Sequence, residues 1–243
     1  MNYPLYNRFF SDKEKVFALL IDPEKQTELS LKKTIEAAEQ SFADMILVGG
    51  SLTSCPIDDT ILSIKKITEI PVVLFPGNLL QLSIYADGIL LMSLISGRNP
   101  EYLIGNQVMA SMYLKRSGLE IIPTGYILTG GSSFSSVEYM SNTRPIPSDK
   151  TDIIAATALA GEQLGMKLVY LEAGSGSNGT VATEVIARVK NEINIPIMAG
   201  GGIKTPDDVR KLYKSGAKAV VVGTAVELDH SILKSLASVK KEF

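Results

Sequence analysis

Ile195-Pro196-Ile197-Met198-Ala199-Gly200-Gly201-Gly202-Ile203-Lys204-Thr205-Pro206-Asp207-Asp208-Val209 contains one whole strand, loop and helix start. Residues 195–198 form a short, almost wholly apolar run, as expected of a parallel strand buried on both faces. Three glycines then allow a tight turn and leave backbone N–H groups unobstructed by Cβ atoms. Thr205 supplies a side-chain cap, Pro206 suits a first helical position, and Asp207 and Asp208 add the negative charge favoured in a first turn.

The same pattern recurs along the chain. Further apolar runs lie at 16–21, 45–48, 72–75, 88–92, 120–122, 168–171 and 219–222. Helical periodicity fills the gaps: residues 31–41 place Leu31, Ile35 and Ala38 on one face, and 57–68 place Ile57, Ile61, Ile64 and Ile67 on another. Eight β/α units in 243 residues predict an α/β fold, a (β/α)8 or TIM barrel, as one domain spanning 1–243. A doubly wound open sheet would carry a dinucleotide fingerprint after its first strand. That strand instead ends Ile21-Asp22-Pro23-Glu24, without glycine. Two segments depart from regularity. Residues 77–85 are too short and irregular for a full third outer helix. Residues 128–150, rich in Gly, Ser, Asn and Pro, read either as a lid over the active face or as a passive loop.

Composition narrows the chemistry. A net charge of −2 and the absence of a basic, aromatic-interleaved stretch argue against a nucleic-acid partner. No apolar run approaches the length of a membrane span, so no transmembrane segment is expected. The start, Met1-Asn2-Tyr3-Pro4-Leu5-Tyr6, has no basic region leading into an apolar one, and a single cysteine, Cys55, suits a reducing compartment. A cytoplasmic location is the expectation. One cysteine and one histidine, His230, leave no material for a disulfide, a Cys/His metal site or a serine–histidine triad. Cys55 reads as a packing residue and His230 as a surface residue in the final helix.

In such barrels the active site lies at the C-terminal ends of the strands. Those ends supply Asp22; then Gly49, Gly50, Ser51 and Thr53; then Glu172 with the small residues 173–177; then Gly200, Gly201, Gly202 and Lys204; and last Gly223 and Thr224. Successive glycine-bearing ends, each followed by a helix, predict a phosphate site. Asp22 reads either as the cap of a short helical turn or as a Mg2+ ligand, with the Ser51 hydroxyl completing the site. Glu172, a carboxylate ending an apolar strand, is costly unless it is paired or used. Arg98, Arg144 and Lys204 are candidate phosphate contacts.

Taken together the strand ends resemble the geranylgeranylglyceryl phosphate synthase family of prenyltransferase barrels. The matching pieces are Leu20-Ile21-Asp22-Pro23-Glu24-Lys25, Val48-Gly49-Gly50-Ser51, residues 71–78 and 170–177, Ala199-Gly200-Gly201-Gly202-Ile203-Lys204 and Val222-Gly223-Thr224-Ala225-Val226-Glu227. The likeness extends over residues 17–227. It implies transfer of a geranylgeranyl or related polyprenyl group from its diphosphate to the C3 hydroxyl of sn-glycerol 1-phosphate, with Mg2+, in ether phospholipid biosynthesis. By position it implies Asp22 and Ser51 as Mg2+ ligands. It also implies Tyr170, Leu171, Glu172, Ala173, Gly174, Ser175, Gly176, Gly201, Gly202, Gly223 and Thr224 as glycerol 1-phosphate contacts, with Glu172 and Asp22 catalytic. Thr224 stands where the family also has asparagine. The long prenyl chain implies an apolar groove near Leu79, Leu80 and Tyr85, and the lipid product implies peripheral membrane contact. Apolar outer-helix residues predict a homo-oligomer.

Two rivals share the phosphate grip. A sugar-phosphate isomerase or cyclase barrel pairs its first aspartate with a second one after strand five, where this chain reads Pro123-Thr124-Gly125. A non-catalytic phosphate-binding barrel would show Mg2+-independent ligand binding without turnover.

Overall fold

The computed structural model describes residues 3–130 and 135–243. Among the described residues nine parallel strands follow in chain order: β1 (Val16–Ile21), β2 (Met45–Val48), β3 (Val72–Leu74), β4 (Gly88–Leu94), β5 (Glu120–Gly130), β6 (Ile146–Pro147), β7 (Leu168–Glu172), β8 (Ile197–Gly200) and β9 (Ala219–Val222). The sheet runs β4-β3-β2-β1-β9-β8-β7-β5-β6, and β4 also pairs with β5. That last pairing closes eight strands into the expected barrel and leaves β6 as a two-residue extension of the β5 end.

Alternation along each strand separates two cores. Val16, Ala18, Met45, Leu47, Val73, Leu90, Ile122, Tyr126, Leu168, Tyr170, Met198 and Val221 fill the barrel interior. Their neighbours Phe17, Leu19, Ile46, Val48, Val169, Leu171 and Val220 face the helices. Phe9 and Phe10 of the first helix, Pro4–Phe10, join the interior cluster. The Glu120 carboxylate accepts the Leu5 and Tyr6 N–H groups at 2.6 and 2.7 Å, which satisfies two otherwise unpaired donors of that helix start.

Most elements lie where the sequence places them. The helix expected at 31–41 begins earlier, at Glu28–Gln40, because Thr27 and Ser30 form a reciprocal capping box. The one expected at 57–68 is Ile57–Lys65, with Ile57, Ile61 and Ile64 buried. Thr205 caps Pro206–Ser215 as anticipated. After β3 a single 3-10 turn, Leu79–Gln81, replaces the outer helix.

Several boundaries differ. β5 does not stop near Pro123 but runs to Gly130, paired with β4 through Tyr126 and with β7 through Leu128. Pro123 lacks only a donor, and its carbonyl still accepts the Lys167 N–H at 2.8 Å. β8 begins after Pro196 and extends through Gly200, so the first of the three glycines belongs to the strand. Within 128–150, Leu128–Gly130 are strand, Ser136–Ser141 form a helix capped by Ser135, and Ile146–Pro147 pair with β5. Residues 131–134 of that segment lie outside the described ones. His230 occupies the 3-10 turn His230–Ile232 rather than the following helix, Leu233–Ser238.

Candidate functional site at the barrel mouth

β7 brings Glu172 to the top of the barrel interior because it shares the inward face with Leu168 and Tyr170. The side chain is buried, and its Oε1 accepts the Gly174 N–H at 2.6 Å. The Tyr170 and Tyr126 hydroxyls lie near this carboxylate and favour its charged form. Their rings stack with centroids 5.3 Å apart, and Phe75 lies 5.1 Å from Tyr170, so an aromatic layer floors the mouth. Burial pushes the Glu172 carboxyl up to about 7, and the Gly174 hydrogen bond and the Tyr170 and Tyr126 hydroxyls moderate that rise. The group is therefore poised to exchange a proton near neutrality. The same burial, with the neighbouring Glu172 charge, keeps both tyrosines protonated.

The glycine loops pack around this carboxylate. Gly201 has φ +87°, and a Cβ there would lie 2.5 Å from Glu172 Oε1, so only glycine fits without displacing it. Ser175 and Thr224 approach across the mouth with hydroxyls 3.4 Å apart, and with Gly223 they line the main cavity. Gly176, Gly201 and Gly202 belong to the surrounding loops rather than to that cavity's wall. Tyr170 is buried beneath it, and the Leu171 side chain faces the opposite way, into the helix layer. Of the expected acceptor-binding set, then, Glu172, Ser175, Gly223 and Thr224 meet the cavity directly.

Asp22 and Ser51 lie on the same cavity, at the ends of the paired strands β1 and β2. Asp22 does cap a short turn: its Oδ1 accepts the Glu24 N–H at 3.2 Å. Its other oxygen lies 3.5 Å from the Lys25 ammonium. The cap reading of Asp22 therefore holds, and the same side chain also lines the cavity. A Cβ at Gly50 would come within 2.9 Å of Asp22 Oδ1, which keeps the β2 loop narrow beside it. Among the described residues no cluster of three His, Cys, Asp or Glu can hold a metal. One carboxylate and one hydroxyl still fit Mg2+, which takes few protein oxygens and completes its shell with water and substrate phosphate.

Two side chains that sequence reasoning passed over fix these loops. Buried Gln81 accepts the Gly50 and Gly77 N–H groups at 3.1 and 3.2 Å and donates to the Gly50 carbonyl at 2.7 Å. It ties the β2 and β3 loops together where an outer helix is missing. Glu24 accepts the Ser54 and Cys55 N–H groups and the Ser54 hydroxyl, and these bonds hold its carboxyl down at about 2. A pattern of backbone partners this distant in sequence leaves no local motif.

The cavity, about 740 Å3, continues from this polar mouth into an apolar groove. Leu79, Leu82, Ile89, Leu91, Tyr102 and Ala110 line it, and Val137, Tyr139 and Met140 from the segment after β5 form a further wall. The groove opens where the third outer helix is absent, as expected, but with different residues in part. Leu79 lines it, whereas Leu80 and Tyr85 do not: Leu80 points to solvent at 85% exposure. Arg98 binds the carbonyls of Ile95 and Gly97 instead of facing the cavity, and neither Arg144 nor Lys204 lines it. Lys25 does. The β5 end, Thr129-Gly130, offers no second carboxylate of the kind the isomerase and cyclase barrels require.

Residues 10–240 match the PcrB family. The geranylgeranylglyceryl phosphate synthase of Spirosoma linguale is 45% identical over 230 residues, covering 94% of this chain and 92% of that one. The enzyme of the same name from Korarchaeum cryptofilum is 40% identical over 238 residues, 98% of each. The crystal structure of (S)-3-O-geranylgeranylglyceryl phosphate synthase from Thermoplasma acidophilum in complex with its substrate sn-glycerol-1-phosphate superposes with a TM-score of 0.93 at 35% identity, over the whole of both chains.

Proposed function

This chain belongs to the PcrB family, with geranylgeranylglyceryl phosphate synthases among its relatives, and from that membership we propose that it is a prenyltransferase making an ether-lipid precursor. It moves a geranylgeranyl or related polyprenyl group from its diphosphate to the C3 hydroxyl of sn-glycerol 1-phosphate. The observation that carries this reading is a single cavity joining a polar mouth, which holds a buried carboxylate, to an apolar groove. A phosphorylated polyol fits the first part and a long hydrocarbon the second.

The transfer breaks the bond between the allylic carbon and the diphosphate oxygen, and its electron pair leaves with the diphosphate. The C3 oxygen forms the new carbon–oxygen bond and gives up its proton. Glu172 would orient that hydroxyl and take the proton, a role supported by a carboxyl raised to about 7 by burial and by the Gly174 N–H bond to its Oε1. Ser175, Gly223 and Thr224, backed by the Gly201-Gly202 loop, offer hydroxyls and backbone N–H groups to the phosphate. Asp22 and Ser51 would hold Mg2+, which supplies charge neutralisation for the leaving diphosphate. The apolar walls of the groove keep water from competing with the glycerol hydroxyl.

A homo-oligomer belongs to the same proposal, supported by the exposed Val108, Met109 and Met112 on helix Asn106–Ser117. So does a cytoplasmic site of action with peripheral membrane contact, supported by the lipid product and the single cysteine. Among the described residues no helix is long and apolar enough to cross a membrane.

Calorimetric titration tests the acceptor assignment. The protein should bind sn-glycerol 1-phosphate in the presence of a metal chelator and prefer it to the 3-phosphate enantiomer. Equal binding of both enantiomers, or of neither, would remove the acceptor from the reading.

A further inference from the structure

Lys25 closes the turn Pro23–Lys25 after β1, and Glu227 lies in the turn of helix Thr224–Leu228 after β9, the strand paired beside β1. The Lys25 ammonium is 3.2 Å from Glu227 and 3.5 Å from Asp22. All three side chains line the main cavity, and among its described lining residues Lys25 is the only lysine or arginine. Glu227 is 13% exposed and Lys25 45%, so the carboxylate is the fixed partner and the ammonium the accessible one.

Partly exposed ion pairs contribute little to stability, so a purely structural reason for this arrangement is weak. Its electrostatics point elsewhere. Asp22 and Glu227 together present negative charge at the mouth that receives an anion. A diphosphate approaching them is repelled unless cations intervene, and Asp22 is the carboxylate with a competing use in holding Mg2+. Lys25 is the cation the protein itself supplies there.

We propose that Lys25 binds the leaving diphosphate, anchored by Glu227, and exchanges Asp22 for diphosphate oxygens when the site fills. The assignment rests on the prenyltransferase reading, because that reading brings a diphosphate to this mouth. An ammonium at the leaving oxygens stabilises charge that grows as the allylic bond breaks, in addition to its part in binding. The exchange also frees Asp22 for the metal, so the two cationic contributions fill the site together.

Calorimetry with inorganic pyrophosphate, in chelator and again in Mg2+, tests this on the full chain and on Lys25→Met and Lys25→Arg. In Lys25→Met the affinity for pyrophosphate should fall about tenfold or more, the scale of one charge-assisted hydrogen bond. Lys25→Arg should keep most of it, since the charge remains, and sn-glycerol 1-phosphate should bind all three proteins alike. Urea unfolding of each protein identifies a folding defect, and Lys25→Gln replaces the methionine variant if that one unfolds. Wild-type affinity for pyrophosphate in both conditions after loss of the ammonium would overturn the proposal, as would an equal loss of affinity for both ligands. Product formation by the wild-type protein, measured alongside, separates the two levels. No product removes the prenyltransferase reading itself, whereas product with unaltered pyrophosphate binding in Lys25→Met removes only the Lys25 assignment.

Discussion

Replacing Glu172 with glutamine removes one ionisable group and keeps the side chain's shape, so its effects follow from the buried carboxyl's proton affinity. That carboxyl is raised from 4.5 to about 7 by burial. In the unfolded chain it ionises near its ordinary value, whereas in the fold it stays protonated well above that value. The folded state therefore binds the extra proton between about pH 4.5 and pH 7, and stability falls as pH rises through this window. Below the window the group has no effect; above it the loss is fully developed, at about 3 kcal/mol. Glu172→Gln has no such window. Urea unfolding from pH 4 to pH 8 should show the wild-type protein losing stability relative to the variant, with the difference widening by about 3 kcal/mol and levelling off above pH 7. Activity should move the other way: kcat/KM of the wild-type protein should rise with pH around 7 as the base ionises, and the variant should lose about a hundredfold or more in kcat. A stability difference independent of pH would refute the buried-carboxyl argument. Near-normal kcat with weakened glycerol phosphate binding would reduce Glu172 to an orienting group.

Other perturbations test separate parts of the site. Gly201→Ala places a methyl group 2.5 Å from Glu172 Oε1 at a φ of +87°, so it should displace the carboxylate and raise the KM for glycerol phosphate by about tenfold or more, read by steady-state kinetics. Gln81→Leu leaves the Gly50 and Gly77 N–H groups and the Gly50 carbonyl without their partner. It should lower stability by about 3 kcal/mol in urea unfolding and weaken turnover through the loosened Ser51 loop. Ala110→Phe adds a ring to the wall of the apolar groove, and product analysis should show a shift toward shorter prenyl donors with glycerol phosphate affinity unchanged.

The barrel was legible because each β/α unit repeats one local grammar: a short apolar run, a loop of small or polar residues and a capped helix. Boundaries slipped where proline stood. The apolar pattern ends β5 at Pro123, whose carbonyl stays in the ladder by accepting the Lys167 N–H, and starts β8 at Ile195, two residues before its observed start. Glu172 could be singled out from sequence because a carboxylate at the end of an apolar strand is locally anomalous. Its tyrosine partners could not all be seen, since Tyr126 lies in a stretch expected to be past the strand end and reaches Glu172 only through barrel closure. Gln81 and Lys25 were invisible for a related reason. A glutamine in an irregular loop and a lysine in a turn look like surface residues until the β2 loop and the β9 helix are folded against them. The groove's location followed from the missing third helix, but its lining depended on side-chain direction, which sorted Leu79 and Leu82 inward and Leu80 outward.

In the proposed function one cavity joins a prenyl donor to a glycerol phosphate acceptor. Incubating the protein with sn-glycerol 1-phosphate, Mg2+ and prenyl diphosphates of increasing chain length, and reading the products by mass, tests it most directly. A prenylglyceryl phosphate ether should form with release of diphosphate, best with donors long enough to fill the groove, and chelating the metal should abolish it. The absence of an ether product with every donor would contradict the proposed function.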